Sequence, residues 1–161
     1  MKNTIRYISL ILVVCSLFAT FVGCSLGLPE DKDFSKAGLT ITLTDDFSEQ
    51  DLITQTAYYV SNKAIVTTLR EDSRTIKVYN VKNYANLVCE SNKLNSTVTT
   101  KDDYAEFTYE KGVNGKEFFF YARCYKDGVN FWLVQFACET KNKDDFMPKF
   151  NKWGDSIVFE D

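Results

Sequence analysis

The stretch that most constrains the fold lies at residues 117–139 and reads EFFFYARCYKDGVNFWLVQFACE. Two aromatic-rich segments flank the dipeptide Asp127-Gly128, which favours a tight turn, so the stretch predicts a β-hairpin. We expect a two-residue turn in which Lys126 faces Val129. In that register both faces of the hairpin are apolar, whereas a sheet with one solvent-exposed face would alternate apolar and polar residues. The pattern therefore predicts an antiparallel sheet that is covered on both sides.

Each face of the predicted hairpin carries its own set of side chains. On one face we expect Phe118, Phe120, Ala122, Cys124, Phe131, Leu133 and Ala137. On the other face we expect Phe119, Tyr121, Trp132, Val134 and Phe136. Other elements of the chain are needed to cover both sets. We predict further strands at residues 39–43, 54–60, 64–69, 97–100 and 104–109.

Two segments have the periodicity of amphipathic helices. Within residues 80–91 apolar side chains recur at i, i+3, i+4 and i+7, and Asn80 is a suitable N-cap. Apolar residues recur in a similar way from Phe146 to Ile157. We expect this second helix to begin close to Pro148, because proline is tolerated in a first turn but not in mid-helix. The order β-β-β-α-β-β-β-β-α predicts one α+β domain with helices on both faces of the sheet.

The beginning of the chain has the features of a bacterial signal sequence. Residues 7–22 are almost wholly apolar, which is short for a membrane-spanning helix of about 20 residues. Lys2 and Arg6 precede this run, and Gly23 supplies the small residue found just before a cleavage point. We therefore predict a signal peptide at residues 1–23.

The tetrapeptide Phe21-Val22-Gly23-Cys24 resembles the lipobox of bacterial lipoproteins. That resemblance implies a diacylglycerol on the Cys24 sulfur, with acyl chains such as palmitate, and cleavage just before this cysteine. It also implies an extracytoplasmic domain anchored to the cell membrane by lipid. We expect a polar tether at residues 24–38 and the folded domain at residues 39–161. The alternative is an uncleaved single-pass anchor in which Cys24 is an ordinary thiol.

Charge and composition limit the possible functions. The net charge is −3 and becomes −5 without Lys2 and Arg6, so the domain has no broad cationic surface and nucleic acid is not an expected partner. The chain has no histidine, which excludes Ser/His/Asp and Cys/His catalysis. No cofactor or metal is expected. A catalytic site built from serine with lysine, or from paired carboxylates, would need separate evidence.

Several residue groups could carry chemistry, and for each we favour a structural role. We expect Cys89, Cys124 and Cys138 to be reduced, mostly buried thiols. The acidic pairs Asp45-Asp46, Asp102-Asp103 and Asp144-Asp145 lack the spacing of a calcium loop, so we expect turns and helix caps. We expect Tyr58, Tyr59, Trp132 and Trp153 to pack in the core rather than form a stacking platform. If residues 58 and 59 lie in a strand they point to opposite faces, and one of them is then the best candidate for an exposed contact.

The segments GLTITLTDDF, NFWLVQFAC and FNKWGDSIVF, in this order of elements, resemble the PsbP-like family over residues 36–160. The resemblance implies an antiparallel sheet between helices and a non-enzymatic accessory or binding role. We favour a protein partner over a small molecule. The alternative is a small hydrolytic or redox enzyme of the cell envelope that works without histidine. A deep pocket with convergent ionisable groups would favour the enzyme, and an exposed apolar patch would favour the binding module.

Overall fold

The structure is a computed structural model that describes residues 28–160. The predictions for the signal peptide and for Cys24 lie outside the described residues. The strands are β1 Asp31–Lys36, β2 Leu39–Thr44, β3 Ser48–Gln50, β4 Ala57–Val60, β5 Ala64–Asp72, β6 Thr99–Thr100, β7 Tyr104–Val113, β8 Lys116–Asp127, β9 Asn130–Glu139 and β10 Val158–Phe159. The helices are α1 Ser73–Ile76, α2 Val81–Ser91 and α3 Lys143–Asp155, with a 3-10 turn at Thr140–Asn142 before α3.

The strands form two antiparallel sheets. Seven strands pair in the order β3-β4-β5-β9-β8-β7-β6, and three pair in the order β1-β2-β10. The predicted α+β class, with a mainly antiparallel sheet, is confirmed. At the start of α2 the Asn80 side chain accepts a hydrogen bond from the Asn83 backbone N–H (2.9 Å), as expected of an N-cap.

The central hairpin differs from the prediction in register but not in its faces. Asp127 pairs with Asn130, so the turn is Gly128-Val129 and Lys126 lies opposite Phe131 instead of Val129. The backbone of Gly128 has φ +50°, a value that glycine adopts without strain. The shift amounts to two residues along β9. Because side chains alternate with period two, each residue stays on its predicted face.

Alternate residues of β8 and β9 belong to two separate hydrophobic clusters. The α2-side cluster contains Phe118, Phe120, Ala122, Cys124, Phe131, Leu133 and Ala137 together with Tyr84, Ala85, Val88 and Cys89 of α2. The α3-side cluster contains Tyr121, Tyr125, Trp132, Val134 and Phe136 together with Phe146, Phe150 and Trp153 of α3. Leu39, Ile41 and Leu43 of β2 also belong to the α3-side cluster, so the small sheet packs beside α3.

The expected tether of residues 24–38 is wrong over most of its described part, because residues 31–36 form β1. This strand pairs with β2 along its whole length, through a turn in which Ala37 and Gly38 both have positive φ. Phe34 is buried, and its ring centroid lies 5.0 Å from that of Tyr59. One buried aromatic side chain and a strand partner therefore hold a segment whose charges suggested a solvated linker.

The expected start of the last helix is also wrong. Helix α3 begins at Lys143, so Pro148 lies inside it, where it cannot donate the usual hydrogen bond to the preceding turn. Phe146 lies before the proline and is buried against Phe150 and Trp153. Burial of this aromatic side chain offsets the missing hydrogen bond.

No helix within residues 28–160 has both the length and the apolar character needed to cross a bilayer.

Candidate functional site

Arg123 is the most unusual residue of the described chain, because its side chain is charged and only 2% exposed. It lies on β8 between Ala122 and Cys124, on the α3 side of the sheet. A buried guanidinium needs hydrogen-bond acceptors and a counter-charge. Neighbours on β8 and α3 supply both.

Each nitrogen of the Arg123 guanidinium donates a hydrogen bond. Nε donates to the Tyr121 hydroxyl (2.6 Å), Nη1 donates to Asp155 Oδ1 (2.7 Å), and Nη2 donates to Asn151 Oδ1 (3.2 Å). Two of these acceptors lie on the last turns of α3. Arg123 therefore fixes the position of this helix end on the sheet, and Asp155, whose side chain is 66% exposed, carries the network to solvent.

Aromatic rings and one glycine shape the space around the guanidinium. The Arg123 Cζ atom lies 4.3 Å from the centroid of the Tyr104 ring, a cation–π contact. A Cβ atom on Gly154 would lie 2.7 Å from the same Cζ atom, so a larger residue cannot occupy this position without moving the arginine. The Tyr125 hydroxyl donates to the Gly154 carbonyl (3.0 Å). The helix and the sheet are thus in close contact at this point.

The hydrogen bonds keep Arg123 charged. Burial alone would lower the pKa of the guanidinium, but the hydrogen bonds to Tyr121, Asp155 and Tyr125 raise it above its ordinary value. Burial, together with Glu106, raises the pKa of the Tyr121 hydroxyl, which donates to Glu106 Oε2 (2.6 Å). Lys101 Nζ lies 3.5 Å from Glu106 Oε1. One polar network therefore runs from Lys101 to Asp155.

Three adjoining depressions open around this network, and they share lining residues. The first, of about 360 Å³, lies between β7 and α3 and includes Tyr104 and Asn151. The second, of about 390 Å³, is lined by Asp103, Tyr104, Arg123, Tyr125, Lys126, Gly154, Asp155, Ile157 and Phe159. The third, of about 640 Å³, lies between α3 and the small sheet and includes Asn151 and Asp155.

Three exposed apolar residues belong to segments that border the second depression. Tyr79 is 81% exposed, and its carbonyl accepts a hydrogen bond from Lys126 Nζ (3.2 Å). Val129 is 55% exposed at the tip of the β8–β9 hairpin. Val158 is 61% exposed and lies in sequence between two lining residues. We call this surface the Arg123 end; it consists of the second depression with Tyr79, Val129 and Val158.

The three cysteines are free and buried, as predicted. Cys89 and Cys124 belong to the α2-side cluster and Cys138 to the α3-side cluster. Cys138 lies opposite Phe119, two residues from the expected position. Burial raises the pKa of Cys89 and of Cys138 to about 11, so these thiols are unreactive near neutral pH.

The acidic pairs lie apart from one another, in turns and at a helix start. Asp45 Oδ1 accepts a hydrogen bond from the Glu30 backbone N–H (3.1 Å), and Asp46 accepts one from the Thr44 hydroxyl. Asp102 and Asp103 lie between β6 and β7, and Asp103 lines the second depression. Asp144 and Asp145 occupy the first turn of α3, where negative charge is favourable.

The four aromatic residues considered as a platform are all buried. Tyr59 belongs to the α3-side cluster and Tyr58 to the α2-side cluster, so they do point to opposite faces. The expectation that one of them is exposed is wrong, because β1 covers Tyr59 and the α2-side cluster encloses Tyr58. Among the aromatic residues within residues 28–160, the exposed one is Tyr79, just before α2.

Sequence reasoning missed Arg123, although the hairpin pattern contains a usable signal. A charged residue in the middle of a strand with two apolar faces has no route to water along that strand. It must therefore meet a counter-charge from another element, and Asp155 in the predicted last helix was available. The exposed residues of the Arg123 end give no such signal, because isolated surface apolar residues are common.

Three solved structures are similar to this one over most of their length. The solution structure of cyanobacterial PsbP (CyanoP) from Synechocystis has a TM-score of 0.57 at 10% identity, covering 84% of this chain and 95% of that one. The Ran-binding protein Mog1p of Saccharomyces cerevisiae has a TM-score of 0.56 at 6% identity, covering 83% and 97%. LpqN, involved in cell envelope biogenesis of Mycobacterium tuberculosis, has a TM-score of 0.50 at 8% identity, covering 84% and 94%.

Neither a protein-family model nor a curated protein sequence matches the chain. Identities of this size carry information about the fold and not about ligands or partners. The similarity nevertheless extends over nearly the whole of each compared protein. The chain therefore has the PsbP-like fold that its order of elements suggested.

Proposed function

We propose that this protein is a lipid-anchored, extracytoplasmic accessory module that binds a protein partner through the Arg123 end and catalyses no reaction. The observation that carries the proposal is the presence of exposed apolar residues on the segments that border an open depression lined by aromatic and charged side chains. Protein interfaces are enriched in tyrosine, phenylalanine and arginine, and an apolar centre with a polar rim is their usual composition.

The arrangement of the Arg123 end suits a rigid docking surface. Tyr104, Tyr125 and Phe159 supply ring surface, and the Tyr104 and Tyr125 rings lie 5.6 Å apart between centroids. Arg123 is held by its hydrogen bonds and does not have to be ordered when a partner binds. Preorganised side chains lose little conformational entropy on binding, which favours affinity. Asp103 and Lys126 provide charges of both signs at the rim.

The proposal includes α2 and α3 as covers of opposite faces of the seven-stranded sheet. Its support is the division of alternate β8 and β9 residues between the α2-side and α3-side clusters. With both faces occupied, a partner is left with the ends and edges of the sheet. The Arg123 end is one of these places.

The anchor in this proposal is a diacylglycerol on Cys24, with the signal peptide removed at residues 1–23. Two acyl chains hold a protein stably at a membrane, where a single chain does not. Glu30 is already fixed to Asp45 through backbone and side-chain hydrogen bonds. The remaining tether, residues 25–29, spans at most roughly 18 Å when fully extended. The domain would therefore work close to the outer surface of the membrane.

Two of the similar proteins are compatible with this role. Mog1p is a Ran-binding protein, and LpqN is involved in cell envelope biogenesis. They support a binding role on this fold and, in one case, a setting at the cell envelope. The partner itself is left to experiment.

Site-specific photo-crosslinking in intact cells tests the partner surface. A photoreactive residue placed at Val129 or at Tyr79 should give a discrete adduct, since both side chains are exposed at the Arg123 end. Ile53 is the matched control, because it is fully exposed in the loop between β3 and β4. The same adduct from Ile53 with equal yield, or none from Val129 and Tyr79, would contradict the proposed surface.

Mass spectrometry of the native protein tests the anchor. We expect a chain that begins at Cys24 and carries acyl groups, and a Cys24→Ala variant that accumulates as precursor or is released in soluble form. Thermal unfolding of the domain should be the same in both, because Cys24 precedes β1. An intact Met1 terminus with an unmodified Cys24 thiol would refute the anchor.

A further inference from the structure

The first depression has features that the proposed partner surface does not use. Helix α3 packs against β8, β9 and β2. It therefore does not cover the face of β7 that lies on the same side of the sheet. On β7 the residues Tyr104, Glu106 and Thr108 turn to this side, while the alternate residues are buried in the α2-side cluster. The result is a crevice between β7 and α3, which we call the β7–α3 crevice.

The lining of the β7–α3 crevice is rich in uncharged hydrogen-bonding groups. It consists of Thr97, Thr99, Lys101, Tyr104, Glu106, Phe107, Thr108, Tyr121, Met147 and Asn151. Each threonine hydroxyl can donate one hydrogen bond and accept two. All three threonines are exposed. The crevice therefore presents donors and acceptors side by side.

The Arg123 network fixes the orientation of two polar groups in this lining. Arg123 Nη2 holds the Asn151 amide oxygen, so the amide nitrogen remains available to donate. The Tyr121 hydroxyl donates to Glu106 Oε2. The other carboxylate oxygen, Oε1, lies 3.5 Å from Lys101 Nζ and can also accept a hydrogen bond from a ligand. Donor and acceptor positions are therefore set before any ligand arrives, which lowers the entropic cost of binding.

The charges of the crevice balance. Lys101 is its only basic lining residue and Glu106 its only acidic one among the residues described, and the two form an ion pair. A phosphate or carboxylate ligand would meet one paired lysine and a carboxylate, so anions are not favoured. Met147 and the Tyr104 ring add apolar surface. The lining suits a neutral ligand with many hydroxyl groups and some apolar C–H surface.

We infer that the β7–α3 crevice is a binding site for a neutral saccharide. Sugars offer alternating donors and acceptors on one edge and C–H groups on the ring face, which match the threonine, asparagine and glutamate groups and the apolar surface of Met147 and Tyr104. A volume of about 360 Å³ is at the lower end of the range for ligand pockets and suits a ligand of one or two sugar rings. The site adjoins the Arg123 end at Tyr104 but does not depend on a protein partner.

Titration of the purified full-length protein with a panel of neutral disaccharides tests this inference. Maltose, cellobiose, lactose and N,N′-diacetylchitobiose are each added to about 10 mM, which exceeds the millimolar dissociation constants of weak ligands. We expect saturable amide shifts in the NMR spectrum, confined to β6, β7 and the second half of α3, for at least one of them. Absence of saturable shifts with all four would overturn the inference.

Paired variants show whether the crevice is the site. Thr97→Val combined with Thr99→Val removes two hydroxyls without changing shape and should weaken binding at least about tenfold, since each net hydrogen bond contributes on the order of 1 kcal/mol. Thr75→Val is the control, because Thr75 is exposed on α1 outside the crevice. Equal affinity in the double variant would overturn the assignment. So would saturation of the same amides by trialanine with none by the sugars, which would indicate a peptide groove instead.

Discussion

Buried polar groups are hydrogen-bonded differently on the two sides of the seven-stranded sheet. On the α2 side they are paired inside the molecule: Gln135 Nε2 donates to the Tyr109 hydroxyl (2.8 Å), and the Tyr84 hydroxyl donates to Glu71 (2.6 Å). On the α3 side the buried Arg123 donates to Asp155, whose exposed side chain connects it to solvent.

The α3 side also leaves some polar atoms without partners. The Tyr59 hydroxyl and Trp132 Nε1 are buried and make no hydrogen bond within residues 28–160. A closed polar pair can only hold its neighbours together, whereas a network that reaches the surface can also contact a molecule that binds there. Under the proposed function, the α2 side serves stability alone and the α3 side serves recognition as well.

The largest expected effect comes from Trp153, which is 3% exposed and contacts Phe47, Phe136, Phe146 and Phe150. Trp153→Ala should lower the free energy of unfolding by about 3 to 5 kcal/mol, a large share of a domain's total. Urea unfolding measures it. A variant that unfolds like the parent but loses binding would show that the α3 side gives up stability for recognition at this position.

Gly154→Ala should cost about 1 to 3 kcal/mol, because the new methyl group would collide with the Arg123 guanidinium. The three atoms nearest to the added methyl group all belong to that side chain, so Arg123→Leu should relieve the collision. We expect a double-mutant cycle of the two changes to show coupling above about 1 kcal/mol. Additive effects would mean that the helix end does not depend on Arg123.

A matched pair of tyrosine substitutions tests the contrast between the sides directly. Tyr109→Phe leaves the buried Gln135 donor unsatisfied and should cost about 1 to 2 kcal/mol. Tyr59→Phe removes a buried hydroxyl that has no partner among the described residues, so stability should stay the same or rise slightly. Thermal unfolding of both variants measures this difference in stability. Equal losses of stability in the two variants would show that buried hydroxyl groups contribute alike on both sides of the sheet.

The smallest expected effect is a change in pH dependence caused by Glu71. Burial raises the pKa of this carboxyl, although the hydrogen bond from Tyr84 lowers it in part. The folded state thus binds the proton more tightly than the unfolded state, so this contribution to stability is lost as pH rises through the raised pKa. Glu71→Gln should reduce that loss as pH rises above the ordinary glutamate pKa.

Two other carboxyls with shifted pKa values titrate at lower pH and do not interfere with this measurement. Hydrogen bonds from Arg74 lower the pKa of Asp72 to about 2, and hydrogen bonds from Lys116 and Lys141 lower that of Glu139 to about 2. Their contributions are present above their ordinary pKa values and are lost only as pH falls toward about 2. An unchanged slope in Glu71→Gln at higher pH would show that Glu71 is not linked to folding.

Much of the fold can be predicted because hydrophobic periodicity assigns side chains to the correct face of the sheet even when the strand register is wrong by two residues. The faces of β8 and β9 follow from the sequence even with the wrong register, since a shift of two residues keeps the parity of every side chain. Asn80 and the apolar spacing after it locate α2. Strand β1 escapes prediction because Phe34 is its only buried residue and the others resemble a linker.

The start of α3 and the candidate site depend on contacts that are distant in sequence. Packing of Phe146 overrides the local preference of Pro148. Arg123 could have been flagged as a charge in a covered strand, but the identity of its acceptors depends on where α3 ends. The Arg123 end combines Tyr79, Val129 and the β10 region, which only the folded chain brings together.

The small sheet has a consequence for the order in which the molecule is completed. Strand β2 lies between β1, its immediate hairpin partner, and β10, and the Thr42–Ser156 contact beside that junction joins residues 114 positions apart. Such distant pairing forms slowly, because the chain must lose its loop entropy before the contact forms. Phe159 of β10 lines the Arg123 end. A newly made chain can thus form most of its sheet while the proposed recognition surface is still incomplete. If the proposal holds, partner binding would begin only when folding is complete.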